Sequence, residues 1–172
     1  MRCDCMSLYR LSVSLYNKED MKGRETMWKD AIEMREAVAS GEVSPKELVQ
    51  ETLEKIEQRN PSLNAVVHLQ AERALEDAES RSFEELPFGG VPLLLKDLGQ
   101  NQAGEPSSAG SKLLKGIPVG STDNFVKRLE AAGFIIVGRT NTPEFGFKNT
   151  TEPQLWGTAN NPYDLNRNAG GS

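Results

Sequence analysis

The sequence GGVPLLLKD at residues 89–97 decides the fold. Its apolar run at 91–95 has the length of a buried strand, and Lys96 and Asp97 follow it directly. Lysine resists full burial. An amine at this place therefore either has a chemical task and a lowered pKa, or extends its charge into water on its aliphatic stem. The strand taken alone favours the second interpretation.

Helices and strands alternate on both sides of this run. A helix is predicted from Thr26, with Gly41 placed for a left-handed C-terminal cap, and Ser44-Pro45-Lys46-Glu47 has the pattern of a capping box that begins a second helix. Asn60-Pro61 is expected to end that helix. The later elements are a strand at 64–69, a helix from Ala71, a helix from 122–124 to Gly133 and a strand at 134–138. This alternation predicts an α/β fold in which helices flank a sheet.

Two segments lie outside this alternation. Residues 1–25 follow no helical or strand period, and we interpret them as a flexible amino-terminal extension or as sequence upstream of the true start. After Gly146 a long polar loop is predicted to reach Gly170-Gly171-Ser172. Because loops in compact domains are short, we expect residues 26–172 to be the amino-terminal part of one domain, truncated at a glycine- and serine-rich loop.

Charge and composition argue against several classes of partner. The 172 residues carry a formal net charge of -5 without a Lys/Arg-rich cluster, which disfavours a nucleic-acid partner. No apolar stretch approaches the ~20 residues of a membrane-spanning helix, and the first residues lack the apolar core of a secretory signal. We therefore expect no membrane partner and a cytoplasmic location. Cys3 and Cys5 lack the second pair that a zinc site needs, so no metal is expected.

The histidine content restricts the chemistry that this chain can support. His68 is the only histidine, and it lies in the short strand predicted at 64–69, where a structural role is more common than a catalytic one. Without a catalytic histidine, neither a Ser-His-Asp nor a Cys-His arrangement can be assembled. Any nucleophilic chemistry must therefore use another base, and Lys96 is the candidate.

Four segments in one order strengthen that candidate. They are GGVPLLLKD at 89–97, SAGS at 108–111, GRTNTPEFG at 138–146, and NPYD at 161–164 leading to GGS at 170–172. Together they resemble the amidase signature family, whose members hydrolyse amides with a Ser-Ser-Lys triad. The resemblance extends from Trp28 to Ser172.

The resemblance implies a mixed sheet flanked by helices, incomplete in this chain, and specific roles for four residues. Lys96 would be the base and Ser172 the bridging serine. Phe145 and Gly146 would line the substrate channel, although packing of the turn explains them equally well. The nucleophilic serine and the oxyanion-hole amides would follow Ser172, so we expect the chain as given to be inactive. Asp97 would either orient Lys96 or cap the following turn, and no cofactor is implied.

Three functions remain open from the sequence. The favoured one is an amidase that converts a small-molecule amide and water into a carboxylate and ammonia or an amine. The second is the catalytic subunit of a glutamine-dependent amidotransferase, which is disfavoured because Leu98-Gly99-Gln100 follows Asp97 as in stand-alone amidases. The third is a non-catalytic truncated product or binding module. A homo-oligomer is compatible with all three.

Overall fold

A computed structural model of the protein describes residues 30–171. The extension predicted at 1–25 and the bridging serine predicted at Ser172 lie outside the described residues. The helices and strands of the described part are α1 (Ala31–Ser40), α2 (Pro45–Leu63), β1 (Val66–Leu69), α3 (Ala71–Ser80), β2 (Pro92–Lys96), α4 (Asn124–Ala131), β3 (Ile135–Thr140), β4 (Asn160–Asn161) and β5 (Asp164–Asn168). No helix between residues 30 and 171 is long and apolar enough to cross a membrane.

A mixed three-stranded sheet forms the centre of the described part, with strand order β1-β3-β2. Strand β2 runs parallel to β3, and β1 runs antiparallel to it. The register places Lys96, the last residue of β2, opposite Thr140, the last residue of β3. The lysine therefore lies at the carboxyl end of two parallel strands, an edge where α/β sheets commonly carry ligand sites.

Helices cover both faces of this sheet, because the side chains of β3 alternate between two apolar clusters. Ile135 and Val137 pack with residues of α2 and α3, whereas Ile136 packs with Val126 of α4 and Leu95 of β2. Burial of these aliphatic side chains is the main force that holds the layers together. The predicted fold class, a mixed α/β sheet flanked by helices, is confirmed.

The ends of the first two helices follow local capping chemistry. Asp30 accepts hydrogen bonds from the amides of Ile32 and Glu33 as the N-cap of α1, which begins at Ala31; the start predicted at Thr26 lies outside the described residues. Gly41 ends α1 at φ 76, as predicted. The capping box of α2 is also confirmed, since the side chain of Ser44 accepts from the Glu47 amide and that of Glu47 accepts from the Ser44 amide.

Pro61 does not end α2, contrary to the prediction. The helix continues through it to Leu63 and is closed by Asn64 at φ 50. A proline in the last turn removes one amide donor. The neighbouring Asn60 exchanges two side-chain hydrogen bonds of 2.8 Å with the backbone of Val66. These bonds also fix the connection between α2 and β1.

Two later predictions also need correction. Strand β3 does not stop at Gly138 but continues through Arg139 to Thr140, because both residues pair with β2 and β1. The polar stretch after Gly146 was predicted to be loop throughout, yet β4 and β5 pair there as a short antiparallel hairpin. Neither segment has a strand-like apolar pattern; backbone pairing with neighbours provides the order.

Candidate active site

Lys96 ends β2 with its backbone held on both sides. Its amide donates to Gln100 Oε1 at 2.7 Å, and its carbonyl accepts from Arg139 Nη1 at 3.2 Å. The side chain is partly buried, and this burial lowers the pKa of Lys96 below the usual lysine value. A lowered pKa raises the fraction of neutral amine, the form that accepts a proton.

Arg139 is fully buried beneath the lysine, at 0% exposure. Its Nη1 also donates to the carbonyl of Gln100 at 2.8 Å, whereas Nε and Nη2 are buried without a hydrogen-bond partner among the described residues. Burial lowers the pKa of Arg139, and the charges of Asp97, Glu105 and Asp123 oppose that shift. The guanidinium is therefore an incompletely solvated cation at the carboxyl end of the sheet.

Asp97 ties the strand that carries Lys96 to the following loop. Its carboxylate is buried and accepts from the amide of Ser108 at 2.8 Å and from the hydroxyl of the same residue. The indole of Trp156 donates to Asp97 at 3.2 Å and to the Ser108 hydroxyl at 3.1 Å. Asp97 thus anchors a loop eleven positions along the chain instead of capping the next turn, and its predicted orientation of Lys96 stays a prediction.

Two strained turns meet beside the hydrogen-bonded group of Asp97, Ser108 and Trp156. Ala109 and Phe145 both have left-handed backbone angles, at φ 50 and φ 51, and the Phe145 amide donates to the Ala109 carbonyl at 2.8 Å. Left-handed angles at such residues cost about 1–3 kcal/mol and persist where the surroundings impose them. Gly146 follows at φ 71, and a Cβ atom there would come within 2.9 Å of Leu98, two residues after Lys96.

Side chains hold two places within the long connection between β2 and α4, residues 97–123. In the first half of this connection, Glu105 contacts His68 Nε2 at 2.9 Å and Arg73 at 3.3 Å. The histidine therefore has the structural role that its strand position favoured. Further along, Lys115 lies over the Trp156 ring, 5.9 Å from its centre. Trp156 anchors its loop on the buried cluster rather than standing free in solvent.

The structure brings three of the four predicted site residues to one end of the sheet. Lys96 ends β2, and Phe145 and Gly146 form the turn that contacts Ala109 and Leu98 beside it. The Phe145 side chain is 42% exposed, so its ring is accessible from outside. Whether Phe145 and Gly146 contact substrate stays a prediction, and Ser172 lies outside the described residues.

Sequence reasoning missed the residues that support Lys96. Arg139 was left outside the strand predicted at 134–138, Ser108 was noted only as part of a motif, and the contact between Asp97 and Ser108 was not expected. The glycine at position 138 favoured an end of the strand before Arg139, so no local signal placed this arginine in the sheet. Nothing local indicated that Trp156 reaches Asp97.

The described residues contain the candidate base Lys96 and the groups that hold its backbone. Between residues 30 and 171 no group of three or more His, Cys, Asp or Glu side chains is arranged to hold a metal ion. An apolar groove runs between α2 and β2, lined by Leu48, Ile56, Pro92, Leu93 and Leu94 among others, and Lys96 is not among its lining residues.

Comparison with known proteins identifies where this arrangement occurs. A family model described as Amidase matches residues 47–172. The chain is 42% identical over 148 residues to the 6-aminohexanoate-cyclic-dimer hydrolase of Paenarthrobacter ureafaciens, covering 85% of this chain and 29% of that protein. It is 44% identical over 142 residues to the Lipoamidase of Enterococcus faecalis, covering 83% and 20%.

Two further relatives extend this comparison. A glutamyl-tRNA(Gln) amidotransferase component of Methylacidiphilum infernorum is 38% identical over 140 residues, covering 81% of this chain and 28% of that protein. The crystal structure of a bacterial aryl acylamidase belonging to the amidase signature enzymes superposes with a TM-score of 0.78 at 35% identity, covering 84% of this chain and 31% of that one. The chain therefore spans less than a third of the length of these relatives.

Proposed function

The chain belongs to the amidase signature family, and from that premise we propose that it supplies the lysine base of an amide-hydrolysing site. The reaction is the conversion of a small-molecule amide and water to a carboxylate and ammonia or an amine. The observation that carries the proposal is the partly buried amine of Lys96, whose pKa is lowered by burial, at the carboxyl end of two parallel strands.

In the proposed mechanism Lys96 and Ser172 form a proton relay. The neutral amine of Lys96 accepts a proton from the Ser172 hydroxyl, which takes one from the nucleophilic serine as that serine attacks the amide carbon. The tetrahedral intermediate then expels the amine, which leaves with the returned proton, and water releases the carboxylate from the acyl-enzyme by the same relay. Lysine replaces histidine as the activating base, which agrees with a sequence whose single histidine is bound to Glu105.

The nucleophilic serine and the oxyanion-hole amides are not assigned to any residue of this chain. We propose that a longer amidase polypeptide supplies them, and that the 172 residues alone have no amidase activity. Loss of a single oxyanion-hole donor already costs about 10²–10³-fold in rate, so loss of these groups together with the nucleophile leaves no measurable turnover.

The test uses a chimera in which residues 30–172 replace the corresponding segment of the P. ureafaciens hydrolase. We expect this chimera to hydrolyse the 6-aminohexanoate cyclic dimer, and Lys96→Ala and Lys96→Met to abolish that activity. Lys127→Ala, at an exposed residue of α4, is the matched control and should retain full activity. A Lys96→Ala chimera as active as its parent, or a folded parent chimera without activity, would contradict the proposal.

The isolated chain gives an independent measurement. Release of ammonia or amine from a panel of aliphatic and aryl amides should not exceed the buffer rate. Turnover that disappears in Lys96→Ala would instead place a nucleophile within these residues and overturn the relay as written. Absence of turnover in both the chain and the folded chimera would favour the third function, a non-catalytic module.

The amidotransferase remains a second candidate, because one relative carries that name at 38% identity. The hydrolase relatives reach 42% and 44%, which favours a stand-alone amidase. Glutaminase activity of the complete polypeptide that requires partner subunits would reverse this order.

We also propose a cytoplasmic location without a nucleic-acid or membrane partner, supported by the net charge of -5 and the charged fraction of 26%. A homo-oligomer is compatible with this assignment.

A further inference from the structure

Arg139 occupies a position that stability alone does not explain. It is 0% exposed in the central strand of the sheet, where only Gly138 separates it from the apolar residues Ile135–Val137. A buried cation is costly unless its donors are all satisfied, and an apolar side chain of similar volume often serves the fold as well or better. Two of the three guanidinium nitrogens have no partner in residues 30–171. Within residues 30–171, the hydrogen bonds of this guanidinium all come from the remaining nitrogen, Nη1.

That nitrogen, Nη1, hydrogen-bonds to the backbone of the candidate base Lys96. Nη1 of Arg139 bridges the carbonyl of Lys96 at 3.2 Å and the carbonyl of Gln100 at 2.8 Å. The side chain of Gln100 returns to accept the Lys96 amide at 2.7 Å. The peptide groups on both sides of the Lys96 Cα are thus fixed by two polar side chains, in addition to the pairing of β2 with β3.

We propose that Arg139 and Gln100 are positioning residues that hold the Lys96 amine at its partly buried place. The inference rests on the proposed function of Lys96 as the base. Four methylene groups separate the amine from the backbone, so a strand end that is free to move lets the charge turn outward into water. Clamping both peptide groups restricts the Cα–Cβ direction and keeps the amine against the sheet.

The first test needs no catalysis and uses the 172-residue chain. Trace acetylation across a pH series, followed by peptide mass spectrometry, gives a titration curve for the Lys96 amine, with Lys127 as the internal exposed reference. The variants are Arg139→Lys and Gln100→Met, which preserve the net charge, so that a change in the Lys96 curve does not arise from a lost neighbouring charge. The acidic groups that act on Arg139, namely Asp97, Glu105 and Asp123, are untouched.

Arg81→Met is the matched control. The Arg81 guanidinium also donates hydrogen bonds to two backbone carbonyls, those of Phe134 at 3.0 Å and Glu130 at 2.7 Å, but it does so at the opposite end of β3. We expect the pKa of Lys96 to lie below the usual lysine value in the parent and in Arg81→Met, and to rise toward that value in Arg139→Lys and Gln100→Met. An unchanged Lys96 curve in both test variants, or an equal change in Arg81→Met, would overturn the proposal.

The chimera separates this inference from the proposed function. Arg139→Lys should lower kcat about 10- to 100-fold with little change in KM, because misplacement of a base by about 1 Å costs that order of rate. If Lys96→Ala leaves activity intact while the titration still responds, the positioning role stands and the assignment of Lys96 as base fails. If Arg139→Lys does not fold, Gln100→Met decides, since Gln100 is only partly buried.

Discussion

Asp97 accepts two hydrogen bonds from Ser108, one from the backbone amide at 2.8 Å and one from the hydroxyl. The residue that follows Lys96 in the chain is thereby attached to a loop eleven positions away. Because the Ser108 hydroxyl in turn accepts from the amide of Gly110 at 3.1 Å, the strand end and the loop form one hydrogen-bonded unit. Movement of that loop is therefore coupled to the backbone at Lys96.

Asp97→Ala should destabilise the protein more than any exposed acidic substitution. The change leaves the amide and the hydroxyl of Ser108 without their acceptor, and an unsatisfied buried donor costs about 1–3 kcal/mol. We expect a total loss of about 3 kcal/mol or more in the free energy of unfolding, measured by urea denaturation. Asp164→Ala is the control, since its ion pair with Arg167 is solvent-exposed and is expected to contribute about 1 kcal/mol or less. Equal losses in the two variants would show that the Asp97 cluster is not a stabilising unit.

Gly110→Ala tests the close approach of the Ser108 loop to the turn after β3. Gly110 has φ +69, and a Cβ atom would lie 2.9 Å from the carbonyl oxygen of Thr142, whereas Gly104 has φ +84 with no atom within 4 Å. Both substitutions carry the cost of a left-handed angle, about 1 kcal/mol, and Gly110→Ala adds a clash with backbone. The difference between their unfolding free energies should be at least about 1 kcal/mol, with Gly110→Ala the less stable. If Gly104→Ala is equally damaging, the backbone angle alone sets the cost.

Features of the fold that depend on neighbours in sequence were predictable. The capping box at Ser44 and Glu47 and the glycine cap at Gly41 involve residues within one helical turn, so their residue types are sufficient evidence. The alternation of helices and strands followed from apolar periodicity for the same reason. The position of Lys96 at the end of a strand was also visible, because the apolar run stops there.

Features that depend on tertiary contacts were not predictable. The helix α2 continues through Pro61 to its cap at Asn64, where Asn60 bonds to Val66, and Arg139 stays inside β3 because two strands pair with it. The link from Trp156 to Asp97 joins residues 59 positions apart, and no local pattern encodes such a distance. The position of Lys96 at the strand end was therefore predictable from sequence, while the groups that hold its backbone were not.

Lys96→Met should raise stability at neutral pH, and its advantage should shrink as the pH rises. Burial lowers the pKa of Lys96 in the folded protein, so between that lowered value and the unfolded value of about 10.4 the unfolded chain binds more protons. The free energy of unfolding of the parent therefore rises with pH through this window, whereas the methionine variant lacks this contribution. Chemical denaturation of both proteins from pH 7 to 10.5 measures the difference.

Lys127→Met supplies the control series for Lys96→Met, because it removes an exposed lysine from α4. The pH slope attributed to Lys96 is the slope that remains after the Lys127 series is subtracted. A difference between parent and Lys96→Met that stays constant over the whole range would mean that the amine remains charged and solvated throughout. In that case Lys96 would be a poor base at neutral pH, and the proposed relay would lose its main support.

Phe145→Ala in the chimera distinguishes a substrate contact from turn packing. The Phe145 ring is 42% exposed, and the backbone that presents it is left-handed at φ 51, so the turn directs this ring outward at an energetic cost. If the ring contacts substrate, its removal should raise KM about 5- to 30-fold, corresponding to about 1–2 kcal/mol of lost apolar contact, with kcat nearly unchanged. The control is Phe147→Ala, whose ring is 88% exposed and lies 6.4 Å from that of Phe145. A packing role predicts the opposite pattern, in which the unfolding free energy falls in Phe145→Ala while KM stays at the parent value.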